Sequence, residues 1–198
     1  MLFEKKLESN KILKDAFESG YSNAARSFSQ MMKDKIYFNN FHISSCKLDA
    51  IDLPDQVYIK RQNEAKILLT TEIFGDLTGR SYFLLTEREF DLLTSSIPES
   101  ADPTLNFKQE FIKEVDNILT ASVITKLANE LNQKMYGDVP LLIERACGRM
   151  DDIIFDDFSE HADEIYINST FFSSSNYPDI SPLFIWVMNS NTLQIINE

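Results

Sequence analysis

The chain is predicted to fold as an α+β protein, on two observations: long helical stretches alternate with runs of strand length, and the whole plan occurs twice. The first helical stretch is NKILKDAFESGYSNAARSFSQMMKDK, in which Ile12, Leu13, Ala16, Phe17, Ala24, Phe28 and Met31 recur at helical spacing. Gly20 interrupts it, a cost in propensity that permits close packing of another element. IYFNNFHISSC follows as a strand candidate. Beyond a link at Pro54 come QVYIKRQ, AKILLTTEIFG and RSYFLLTE, apolar and rich in β-branched or aromatic residues. GDLTGR, bracketed by Gly75 and Gly79, predicts a hairpin turn between the last two.

The second half opens on NFKQEFIKEVDNILTASVITKLANELNQKMYGD. Its broad apolar stripe contains Phe111, Ile112, Val115, Ile118, Leu119, Val123, Leu127 and Leu131, and Gly137 and Pro140 act as stop signals. PLLIERACG, EIYINSTFFSS and PLFIWVMNS are its strand candidates, with SSSNYPDIS in place of the glycine turn. Asp15 aligns with Glu114 and Asn23 with Ser122, both at an offset of 99, and Phe74 aligns with Phe172 at 98. The segment from Thr94 to Pro103 is the natural joint. Residues 1–198 are therefore expected to form a single domain of two repeats, about 8–95 and 104–198. Two long helices, related by a pseudo-twofold axis, should pack on a mainly antiparallel sheet.

Composition narrows the function classes. Hydrophobic residues make up 43% of the 198, enough to form a core. No apolar run approaches the roughly 20 residues a membrane-spanning helix needs. The N-terminal stretch MLFEKKLESNKILKD carries charges from its start and does not resemble a secretory signal, so a cytoplasmic location is expected. Cys46 and Cys147 fit reduced, partly buried thiols. His42 and His161 stand in unrelated contexts, so no metal site of the protein's own is expected. A net charge of −12 argues against nucleic acid as a partner. The aspartates at 151, 152, 156 and 157 lack calcium-loop spacing and are read as a charged turn. Trp186 is read as core or interface, and Ser173 to Ser175 as loop.

The chemistry-bearing pair is Glu114 and Asn117. Residues three apart share one helix face, so both can enter one small site. Alone, such a pair also fits an ordinary solvated helix face. Its context raises its significance: LKDAFESGYSNAARSFSQMM, the GDLTGRSYFLLTE hairpin and FIKEVDNILTASVITKLANEL together resemble the CheC/CheX/FliY family of CheY-phosphate phosphatases, over nearly the whole chain. The resemblance implies a CheC-like fold and a helix carrying Glu-x-x-Asn once or twice per chain. The second helix has it intact. The first departs from it, with Asp15 at the glutamate position and Glu18 at the asparagine position, and a carboxylate cannot donate the hydrogen bonds an amide can. That degenerate second site is expected to be inactive or altered. Phe17 and Ser22 also stand where the family has glycines, and Asp116 occupies another such position, where its charge is expected to bear on docking.

What the resemblance implies for function is a protein aspartyl-phosphate phosphatase. Its partner is a phosphorylated CheY-like receiver domain; a CheD-like deamidase is a further partner class. The Mg²⁺ is supplied by the response regulator, and the chain has no cofactor of its own. Asn117 would orient the attacking water and Glu114 would dock on the receiver's lysine. The alternative is a non-catalytic adaptor for a receiver domain or a chemotaxis or flagellar-switch partner. Monomer and homodimer both fit.

Overall fold

A computed structural model describes residues 2–51, 53, 66–95, 97, 104–144 and 149–190. In chain order the elements are helix α1 (Leu2–Met32), strand β1 (Ile36–Lys47), a 3₁₀ turn (Leu48–Ala50), β2 (Lys66–Gly75), β3 (Gly79–Thr86), α2 (Glu87–Thr94), α3 (Leu105–Leu131), β4 (Met135–Gly137), β5 (Leu141–Glu144), α4 (Met150–Phe158), β6 (Glu164–Ser174) and β7 (Leu183–Asn189). The strand candidate at residues 56–62 and Cys147 lie outside the described residues.

Seven strands form one sheet in the order β1-β6-β7-β3-β2-β4, with β5 also pairing β2. Every pairing is antiparallel. β4 and β5 lie end to end along β2, opposite Ile73–Gly75 and Ile67–Thr70 respectively. Exchanging the two halves of the chain turns this order into its own reverse, with β3 and β7 paired at the centre. The pseudo-twofold relation extends to local backbone. Lys33 and Asn132, related by the offset of 99, end their helices in the left-handed region, at φ 51° and 52°. β1 has a register break between Asn39 and His42, with Asn40 at φ 55°, and the same offset places the interruption between β4 and β5.

Side chains alternate across the sheet, so each face has its own core. One face carries α1 and α3 over Leu69, Ile73, Phe83, Leu85, Phe172, Phe184 and Trp186. The other carries α4 and the 3₁₀ turn over Leu68, Tyr82, Leu84, Ile167, Ile185 and Val187. Trp186 is fully buried, as core. Gly20 sits where α1 meets α3: a Cβ there would stand 2.9 Å from the Cα of Val123. The glycine is thus a contact requirement, and two helices in that close approach share one core.

Two helices correct the sequence reading. The end of RSYFLLTE turns into α2, because Thr86 and Glu89 form a reciprocal capping box: the Thr86 hydroxyl accepts from Glu89 N at 3.1 Å and Glu89 accepts from Thr86 N at 2.9 Å. The aspartates at 151, 152, 156 and 157 belong to helix α4 and not to a turn. Asp151 and Asp152 sit in its first turn, where the helix dipole favours negative charge. Asp157 faces the sheet and accepts from Arg80 at 2.7 Å and from the Tyr82 hydroxyl at 2.8 Å. Ser173 and Ser174 are the end of β6, as the strand candidate EIYINSTFFSS has them and against their reading as loop.

Candidate functional site

Helix α3 starts at Thr104, whose hydroxyl accepts from Phe107 N, and ends at left-handed Asn132. Its buried stripe, Ile112, Val115, Leu119, Val123, Leu127 and Leu131, anchors it to the core. Glu114 and Asn117 fall on the opposite side and are exposed. Neither side chain has a hydrogen-bond or ion-pair partner among the described residues. They open on a groove of about 310 Å³ lined by Glu110, Lys113, Glu114 and Asn117 of α3 and by Gly137 to Pro140. Lys113 is neutralised locally by Glu110, at 2.8 Å. The backbone of Asp138 is tied to Glu72 O at 2.9 Å, so the far wall of the groove is fixed to β2. Val139, 78% exposed, forms the lip. The unpaired charges facing the groove, Glu114 and Asp138, are both negative. The arrangement therefore suits a cationic group placed beside an exposed amide.

Gly137 and Pro140 enter the sequence reading only as stop signals. The groove they build with Asp138 and Val139 depends on β4 pairing with β2, a contact no local pattern records.

Asp116 corrects an expectation. It does not meet a docking partner, because it is fully buried under α3. The Thr71 hydroxyl of β2 donates to its Oδ2 at 2.7 Å, and Oδ1 has no partner. Burial pushes its pKa up to about 7, against the opposing effect of the Thr71 hydrogen bond. Beside it, Ser81 of β3 and Thr120 of α3 share a hydrogen bond of 3.1 Å. A small polar cluster thus lies between the exposed pair and the sheet.

Asp15 and Glu18 also lie on the outer side of their helix, Asp15 exposed and Glu18 half-buried. Lys14 approaches Glu18 at 3.8 Å. Of the two acids only Glu18 opens on the neighbouring groove, a volume of about 760 Å³ running along α1 and β1. That groove is walled by Arg26 and Lys35 and by the exposed rings of Tyr37 and Phe41. The two helix motifs are not brought together: Glu114 and Asn117 border one groove and Glu18 alone borders the other. The carbonyls of His42 and His161 accept from the Asn168 and Asn189 side-chain amides, and His161 N donates to Phe158 O at 3.0 Å. No group of three or more metal-ligating side chains occurs among the described residues. No helix among them is long and apolar enough to cross a membrane.

Two long helices over a pseudo-twofold antiparallel sheet, with this strand order, define the CheC-like fold. Solved structures that share it include FliY of Thermotoga maritima (TM-score 0.63, 12% identity, 96% of this chain and 93% of that one). The FliM middle domain of Vibrio alginolyticus matches at TM-score 0.59 and 9% identity, over 95% of this chain and 97% of that one. A chemotaxis protein CheX of Desulfovibrio desulfuricans matches at 0.52 and 11%, over 87% and 97%. At these identities the likeness is one of fold. No family model and no curated protein matches the sequence.

Proposed function

We propose that this chain acts in chemotaxis-type signalling by docking α3 on a phosphorylated CheY-like receiver domain and accelerating hydrolysis of its aspartyl phosphate. The observation that carries the reading is the pair Glu114 and Asn117, exposed and unpartnered, on one rigid helix face at the edge of an acidic groove. An acyl phosphate is reactive, and the phosphoryl group needs chiefly an in-line water. Asn117 supplies both a carbonyl acceptor and an NH₂ donor to hold that water. Glu114, one turn away, pairs with the receiver's active-site lysine. Mg²⁺ belongs to the receiver and neutralises phosphate charge there.

A second reading is an adaptor that binds a receiver or flagellar-switch partner without turnover. It is favoured by α1, whose Asp15 and Glu18 offer no amide and would set negative charge against a phosphate. The two readings separate in one assay. Phosphorylated receiver and Mg²⁺ are mixed with substoichiometric protein, and phosphate loss is followed. Turnover that vanishes in Asn117→Ala is expected. Binding with an unchanged phosphate lifetime would leave the adaptor reading standing alone.

A further inference from the structure

The aspartate next to the exposed amide is unusual for its burial. A fully buried carboxyl on a helix interior carries a large desolvation cost, and this one has a single hydrogen bond and one orphan oxygen. Stability alone would favour an apolar residue here, and the pseudo-symmetric position in α1 has one. At the offset of 99, Asp116 corresponds to Phe17, which is buried against Tyr21 and Trp186. At this position the α1 side fills the space with rings; the α3 side, anchored otherwise by its apolar stripe, adds a directional bond to β2. A hydrogen bond fixes rotation about the helix axis more tightly than apolar contact does, because it weakens steeply with misalignment. Asp116 is adjacent in sequence to Asn117 and is two residues from Glu114, so a rotation at 116 swings both side chains relative to the Gly137–Pro140 wall.

We propose that Asp116 is a positioning residue: its tether to Thr71 sets the rotation of α3 that presents Asn117 and Glu114 to the groove. The role rests on the phosphatase reading for its consequence, though not for its geometry. The raised pKa adds a pH dependence. As pH rises through about 7 the carboxyl ionises in a site built without a compensating cation. Arg80 of β3 pairs with Glu72 of β2 and with Asp157, on the α4 side of the sheet. On α1, Asp15 and Arg26 are exposed and Glu18 is half-buried towards its own groove. Glu87, Arg88 and Asp91 of α2 are exposed, while Glu89 is buried and caps that helix; Asp138 beyond β4 is exposed in the groove.

The test compares wild type, Asp116→Asn and the double variant Thr71→Val/Asp116→Leu. Asn keeps an acceptor for Thr71 and cannot ionise. The double variant removes both polar partners and should unfold at or above the wild-type temperature, since replacing both ends of a buried polar pair by apolar groups is near neutral or stabilising. Its kcat on phosphorylated receiver should nevertheless fall about tenfold or more, the scale expected for a sub-ångström to 1 Å misplacement. Asp116→Asn should retain kcat near neutral pH and stay flat as pH passes about 7, where wild-type kcat changes as the carboxyl ionises. The Asn117 side-chain amide resonances, recorded without any partner, should titrate over the same range in wild type and stay still in Asp116→Asn. A stable double variant with wild-type kcat, or Asn117 resonances indifferent to Asp116, overturns the proposal. Absence of turnover in wild type, with Asn117 resonances that do follow Asp116, overturns the phosphatase reading and leaves the positioning claim supported.

Discussion

The two long helices occupy equivalent places over one sheet, both on apolar stripes, but two matching positions beneath them carry different chemistry. Under α1 the filling is aromatic: Phe17, Tyr21, Phe38, Phe41, Phe184 and Trp186 stack or meet edge to face, with ring centroids 5.2 to 6.2 Å apart. Even its polar member, the Tyr21 hydroxyl, is buried, and it donates to Asn168 at 2.5 Å. Under α3 the equivalent positions hold Asp116 and Thr120, joined to Thr71 and Ser81. Bulky rings give burial at roughly 25 cal/mol per Å² and tolerate small shifts. Short polar side chains give less burial and more direction. The grooves follow suit. Both start where the edge strand is interrupted, but the α1 groove runs towards the helix C-terminus among Tyr37, Phe41, Arg26 and Lys35, whereas the α3 groove runs towards the N-terminus among Glu110, Glu114 and Asp138. One plan used twice thus carries buried rings in one half and a displayed amide in the other.

The largest effect that bears on this contrast is one of stability. Asp116 has its pKa raised from 3.8 unfolded to about 7 folded, so its folded form holds a proton that the unfolded chain has lost. Stability from this residue is complete below about pH 4, declines as pH rises and levels off above about 7. The difference is at most about 4 kcal/mol at 1.36 kcal/mol per pKa unit. Denaturant melts of wild type and Asp116→Asn should therefore diverge in slope between those two pH values. Phe17→Leu, the mirror-site control, should show no such divergence.

Next in size is Asn117→Ala, which should lower receiver dephosphorylation by about a hundredfold, close to 3 kcal/mol, without moving the melting temperature. An unchanged rate would sink the water-positioning role. Gly20→Ala should cost about 1–3 kcal/mol of stability, because the added methyl meets the Val123 backbone at 2.9 Å. A melt within about 0.5 kcal/mol of wild type would show that α1 and α3 part without penalty. Glu114→Ala should weaken receiver binding about tenfold, with Glu114→Lys worse because it sets like charge against the receiver lysine. Titration calorimetry with a phosphate-analogue-loaded receiver distinguishes them. The smallest effect is expected from restoring the motif on α1. Asp15→Glu with Glu18→Asn, in the Asn117→Ala background, should recover no turnover, since Asp15 lies outside the groove that Glu18 borders. Recovery would show that the helix motif alone suffices and that its surroundings do not matter.

Much of this was legible in the residues. EIYINSTFFSS is β6 residue for residue, because aromatic and β-branched residues gather there in a run of strand length. The two long helices followed from periodicity, and the exposure of Glu114 and Asn117 followed from their place off the apolar stripe. Where reading failed, residue type outweighed position. Asp116 falls on the buried stripe, four residues after Ile112, yet an aspartate is rarely placed inside. The acidic run of α4 suggested a turn, although Met150, Ile154 and Phe158 recur at helical spacing and bury one face. α2 was hidden because its capping box begins within strand residues. The groove walls were out of reach for a different reason, since they depend on pairing between β2 and β4, about 60 positions apart.

Among the described residues strand β1 pairs only with β6, with Ile36 opposite Ser174 and Lys47 opposite Glu164. During synthesis the first strand must wait until β6, well over 100 positions further on, has emerged before it can form its ladder. Chains dominated by such distant pairings reach the native state slowly. Nascent β1, with Tyr37 and Phe41 on it, is therefore a segment that a cell must shield until β6 has been made.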